Sequence, residues 1–143
     1  MITAAGLTHT RRSRGDAPGG QVFLADTLGE LGIWYALSDI VFLGGSLRPI
    51  GGHNPFEVAQ SGAAVLSGTH VANFAETFSA MEAAGAARLV SDADDLADRV
   101  GALLAHPEQR KAMTAAAAQF VAASTDQLDG IATRLIAALG LHG

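Results

Sequence analysis

Short apolar runs alternate with amphipathic segments, and connections of a few residues join them. That pattern places this sequence in the α/β class, with a parallel sheet carrying helices on both faces. Three observations predict it. The runs at residues 40–43 (Ile-Val-Phe-Leu), 64–66 and 88–90 are short and bounded by turn residues, as buried strands are. Between and after them Phe74, Phe78 and Met81 recur at i, i+4, i+7, and Leu96, Val100, Leu103 and Leu104 are expected on one helical face. The run ending at Leu43 opens directly into a glycine loop, Gly44-Gly45-Ser46-Leu47-Arg48-Pro49-Ile50-Gly51-Gly52-His53, and then into a helix start at Asn54-Pro55-Phe56-Glu57.

Length and composition narrow the class of function. With 143 residues the chain can bury one core and is too short for two ordinary domains. Apolar residues make up 49% and charged residues 16%, which excludes a disordered chain. The formal charge is −5, and eight Arg and one Lys are scattered among 14 acidic residues, so no nucleic-acid partner is expected. There is no cysteine, which removes a disulfide framework, a thiolate metal site and a Cys nucleophile. No apolar run approaches the roughly 20 residues that span a bilayer, so this part of the protein is expected to be soluble.

In chain order, Met1-Ile2-Thr3-Ala4-Ala5-Gly6 reads as the last helical turn of a longer polypeptide, ended by Gly6. Residues 7–14 suit a short exposed strand, 15–20 a loop, and 21–25 a second strand. Asp26-Thr27 stands where a helix would be capped, with Glu30 in capping-box spacing, and Leu31, Trp34, Tyr35 and Leu37 supply the next helix's apolar face. After the glycine loop, a helix over 55–60 stops at Ser61-Gly62, and the strand at 64–66 runs into a polar turn, Ser67-Gly68-Thr69-His70. Helices are predicted over 73–84, ended by Gly85, and over 92–105, with acids in the first turn where the dipole favours them. Pro107 opens a further helix, and Ala-rich segments run to Leu141. In a parallel sheet the three polar turns at 26–30, 44–54 and 67–73 belong at the carboxyl ends of strands, where ligands bind.

The glycine loop carries the chemistry. Glycine pairs let main chain approach a ligand closely, and a helix start facing such a loop offers N–H groups to an anion. The first expectation is therefore a phosphate-bearing ligand. There is no Gly-x-x-x-x-Gly-Lys-Ser/Thr and no Gly-x-Gly-x-x-Gly, which disfavours a P-loop NTPase and a standard dinucleotide domain. Ser46 lies outside any Gly-x-Ser-x-Gly elbow, and His9, His53, His70, His106 and His142 lack paired metal-ligand spacing, so no metal is expected. Several residues have two readings: Glu30 as capping partner or ligand contact, Glu57 as dipole partner or ligand contact, His53 as loop brace, Arg48 as solvated surface, Trp34 and Tyr35 as core or stacking platform.

The motifs together say more. Asp26-Thr27-Leu28-Gly29-Glu30-Leu31 with Tyr35, then Gly44-Gly45-Ser46 and Gly51-Gly52-His53-Asn54-Pro55-Phe56-Glu57, then Gly68, His70, Asn73 and Phe74, resemble in order and spacing the Kdo transferases, which add 3-deoxy-D-manno-octulosonic acid to lipid A precursors. The match spans about a third of the chain. It departs from the family pattern at Phe56, where Leu is commoner, Thr69, where Pro is usual, and Val71, where Thr is usual.

The resemblance implies a glycosyltransferase of the GT-B architecture, with residues 1–143 as its Rossmann-like C-terminal domain, truncated at the N-terminal edge and lacking the acceptor domain. It implies CMP-Kdo as donor substrate, no cofactor, and nucleotide contacts at Leu28, Gly29, Glu30, Asn54, Pro55, Phe56 and Glu57. Gly45, Ser46, Gly51, Gly52, His53, His70 and Asn73 are the candidate supporting positions. The acidic residue that deprotonates the acceptor belongs to the absent half, as does the family's Arg-His-Pro stretch, so no catalytic residue is assigned in this chain. Lipid A precursor and the cytoplasmic face of the bacterial inner membrane would be met through that half. Two alternatives stay open: another GT-B enzyme such as a nucleotide-sugar epimerase, and a non-catalytic nucleotide-binding domain.

Overall fold

The structure is a computed structural model that describes residues 1–139; Leu141 and His142 lie outside the described residues. The chain divides into two compact units, Met1–Leu31 and the residues from Gly32 onward.

In the first unit, a 3-10 turn at Thr3–Ala5 ends at Gly6, whose φ of 73° lets its N–H reach the Thr3 carbonyl. β1 (His9–Arg11) and β2 (Val22–Leu24) pair in parallel with His9 opposite Val22. Both lie inside the predicted runs. Asp26 fastens the segment after β2 to the one after β1: it accepts from Arg11 Nε at 2.5 Å and from the Ser13 N–H and hydroxyl at 3.0 and 2.9 Å. The predicted capping box does not form. Thr27 donates its hydroxyl to the Glu30 carboxylate, a side-chain pair, and the helix α1 (Leu31–Ala36) begins one residue after Glu30.

The second unit holds a parallel sheet in the order β3-β4-β5, with β3 at Ile40–Leu43, β4 at Ala64–Gly68 and β5 at Ala87–Val90. Around it run α2 (Phe56–Ser61), α3 (Ala75–Ala83), α4 (Ala93–Ala105) and α5 (Pro107–Leu139). Strand alternation sorts the apolar residues to two faces. Val41, Leu43, Val65 and Ala87 meet Val58 and Ala59 of α2, Phe78 and Met81 of α3 and Ala117 of α5. Ile40, Phe42, Ala64 and Leu66 meet Leu96, Val100 and Leu103 of α4 and Met113 of α5. Helices therefore cover both faces, as the alternation of segments predicts. Asp92 caps α4 by accepting from the Asp94 and Asp95 N–H groups at 3.0 and 2.9 Å.

The differences from expectation have physical causes. The five strands among the described residues form two parallel sheets and not one; period and turn chemistry mark a strand without naming its neighbours. Ser67 and Gly68, expected in a turn, extend β4 because they pair in register with Leu89 and Val90 of β5. Leu104 is 61% exposed: it follows Leu103 by about 100° around α4 and leaves the buried stripe. Leu31 and Leu37 are also exposed, since α1 has six residues and Leu37 lies beyond its end, leaving Tyr35 to reach the core. The Ala-rich tail is one helix of 33 residues, with Gly130 tolerated inside it.

Candidate functional site

The loop after β3 and the turn after β4 are built as one piece. Ser46 is fully buried; its hydroxyl donates to the Leu43 carbonyl at 2.6 Å and accepts the Gly68 N–H at 2.8 Å. The His70 N–H reaches the Ser46 carbonyl at 2.9 Å and the Asn73 N–H reaches Gly51 at 3.2 Å, while Gly52 bonds back to Gly45 at 3.1 Å. Two glycines are obligatory here. Gly51 has φ 112°, and a Cβ on it would meet the Asn73 amide; a Cβ on Gly68 would overlap the Ser46 main chain. The His53 ring lies over Gly45, since a Cβ there would stand 3.3 Å from Nε2.

Between these loops opens a cleft of about 410 Å3, lined by Ile50, Gly51, His70 and Asn73 among others. His53, Asn54, Glu57, His70 and Asn73 are exposed, so the structure brings these predicted residues to one end of β3 and β4 with their side chains reachable. The predicted Asn54 cap falls one residue early: Pro55 holds the cap position of α2 without a side-chain cap bond, and Asn54 just before it accepts the Phe56 N–H on its Oδ1 at 3.0 Å. That bond spends one donor, and Pro55 has none, so the helix N–H groups left for an anion are those after Phe56. With six residues, α2 also has a short dipole. Pro55 is fully buried, and the half-buried Phe56 ring turns to Phe120 of α5 with centroids 6.0 Å apart. Glu57 remains the exposed carboxylate of the loop–helix junction. Its charge is felt at Tyr35, whose hydroxyl is pushed above its ordinary pKa first by burial and then by Glu57.

Leu28, Gly29 and Glu30 belong to the first unit. Leu28 is fully exposed, and Gly29 holds φ 82°. Glu30 is held by Arg12, with Nη2 at 2.7 Å and Nε at 3.2 and 3.1 Å from its two oxygens, and by the Thr27 hydroxyl. The Arg12 bond, then that of Thr27, bring its pKa down to about 2. At Asp26 partial desolvation pushes upward most strongly, yet the bonds from Arg11 and Ser13 together outweigh it and leave about 2. Sequence reasoning missed both the Arg12 partner and the Ser46 brace. Each joins residues 18 or more apart in the chain, beyond the reach of local spacing.

A family model described as glycosyl transferase-like matches residues 39–134, two thirds of the chain and all of the β3–β5 sheet. The chain belongs to that family. Within the glycosyl transferase-like proteins it is 41% identical over 126 residues to the 3-deoxy-D-manno-octulosonic acid transferase of Bordetella pertussis, covering 86% of this chain and 29% of that protein. It is 43% identical over 104 residues to the transferase of the same name from Haemophilus influenzae, covering 71% of this chain and 24% of that one. The crystal structure of the C-terminal CMP-Kdo binding domain of WaaA from Acinetobacter baumannii superposes with a TM-score of 0.81 at 35% identity, over 84% of this chain and 64% of that domain. The resemblance read from the motifs is thereby borne out, and with it the Rossmann-like α/β class. The chain spans less than a third of the length of these curated relatives.

Proposed function

We propose that this chain belongs to the donor-binding half of a glycosyltransferase that moves Kdo from CMP-Kdo to a lipid A precursor in lipopolysaccharide biosynthesis. The observation that carries the reading is the 0.81 TM-score to a CMP-Kdo binding domain. Support comes from the cleft at the carboxyl ends of β3 and β4, the position at which parallel sheets hold their ligands. In this reading the Glu57 carboxylate accepts ribose hydroxyls, and the nucleotide phosphate lies over the start of α2, with His53, His70 and Asn73 as further donors. Leu28, Gly29 and Glu30 are assigned to the nucleotide by the motif resemblance alone, with Glu30 already engaged by Arg12. Transfer would proceed with phosphate as leaving group steadied by donors, the acceptor hydroxyl being deprotonated by an acidic residue outside this chain. The full protein would act at the cytoplasmic face of the inner membrane through its other half; no helix among the described residues is long and apolar enough to cross a membrane.

Amide resonances followed during a CMP titration test the site. Saturable shifts at Gly51–Glu57 and His70–Asn73 are expected at millimolar CMP. No saturable shift at those positions would overturn the assignment.

A further inference from the structure

A second cleft opens at the other end of the sheet, between β5, α4 and the first turns of α5. Its volume is about 440 Å3, inside the roughly 300–1,000 Å3 of small-ligand sites. The floor is apolar, formed by buried Leu66 and Leu103 and half-buried Met113. Arg88, Arg99 and Gln109 also line it, and no carboxylate does. In a chain of net charge −5, Arg88 is an unpaired cation over an oily bed, and Arg99, partly neutralised by Asp95, stands beside it as a further donor.

Arg88 is the residue that calls for explanation. Ala87 and Leu89 face the α3 side of the sheet, so the alternation places Arg88 on the α4 side, in register with Leu66. The neighbouring strands present Ile40, Phe42, Ala64 and Leu66 on that side. The Arg88 side chain is exposed, with no ion pair among the described residues. Arg99 bonds Asp95 at 3.1 Å through Nε, which leaves its terminal nitrogens for another acceptor. A lone charge on an edge strand also discourages pairing with other strands, but that role needs neither Arg99 nor a cleft.

We propose that this cleft binds a small anionic amphiphile, its carboxylate between Arg88 and Arg99 and its hydrocarbon body over Leu66, Leu103 and Met113. A nucleotide does not suit it, since no carboxylate is present to receive ribose hydroxyls. The ligand class therefore differs from that of the strand-end site, and the inference stands whether or not the donor reading does.

Titrating the 143-residue chain with dodecanoate below its micellar concentration, by calorimetry and by amide shifts, tests it. Saturable one-to-one binding is expected, with shifts at Arg88, Arg99 and Met113. Affinity should fall about tenfold or more in Arg88→Ala/Arg99→Ala and for uncharged dodecanol, and return largely in Arg88→Lys/Arg99→Lys. Ala112→Phe, an exposed α5 position lining the cleft, should block binding while circular dichroism stays unchanged. Absence of saturation, equal affinity for dodecanol, or indifference to the arginine pair would each overturn the proposal. Self-association of Arg88→Ala with dodecanoate affinity unchanged would assign Arg88 to edge protection instead, and overturn it too.

Discussion

Ser46 and Glu57 sit eleven positions apart in one motif and do opposite kinds of work. The Ser46 hydroxyl is buried and joins the ends of two strands, so Ser46→Ala leaves the Gly68 N–H without its acceptor. A loss of about 1–3 kcal/mol in urea unfolding is expected, with the denaturant slope unchanged. Glu57 is exposed and makes no hydrogen bond or ion pair among the described residues. Glu57→Ala should leave the melting temperature unchanged and weaken CMP binding about tenfold, measured by calorimetry, the scale of a charge-assisted hydrogen bond; unchanged affinity in the folded variant would remove Glu57 from the site. Glu30 makes a prediction about pH. Its folded pKa, about 2, lies below the ordinary 4.5, so between those values the unfolded chain binds more protons. The stabilisation it brings is therefore fully present above about 4.5 and is lost as pH falls toward 2. Arg12→Ala should return the Glu30 titration, followed by NMR, toward the ordinary carboxylate range.

At the scale of elements, the start of α4 was legible because its signals are local: Asp92 precedes Ala93 and a stripe of Leu96, Val100 and Leu103. Asp92→Ala removes the acceptor for two first-turn N–H groups and should cost about 1 kcal/mol in thermal or urea unfolding. The β3–loop–α2 unit was legible for the same reason, glycine pairs and Asn54-Pro55 being turn and cap chemistry in contiguous sequence. What the sequence hid is set by distance. Nothing near Ser67 announces that Leu89 will pair with it and draw it into a strand. Glu30 lies three residues from Thr27 and looks like a cap, but Arg12 competes for its carboxylate from 18 residues away. The Ala-rich tail offers no strong breaker after Pro107, and a composition that could have made two helices makes one.

For the molecule as a whole, the family rests on residues 39–134 and the fold on a superposition over 84% of the chain, while most of the relatives' length lies outside what this chain matches. If the donor-binding reading holds, the purified chain should transfer no Kdo by itself; appreciable turnover would show that it supplies its own base. One property of the cleft belongs to this chain by itself. Its two walls are already joined through Ser46, Gly51 and Gly68, which leaves them few arrangements to choose among. A guest arriving there meets a receptor in its final shape, so capture should follow a single exponential in stopped-flow mixing, with no slow second phase.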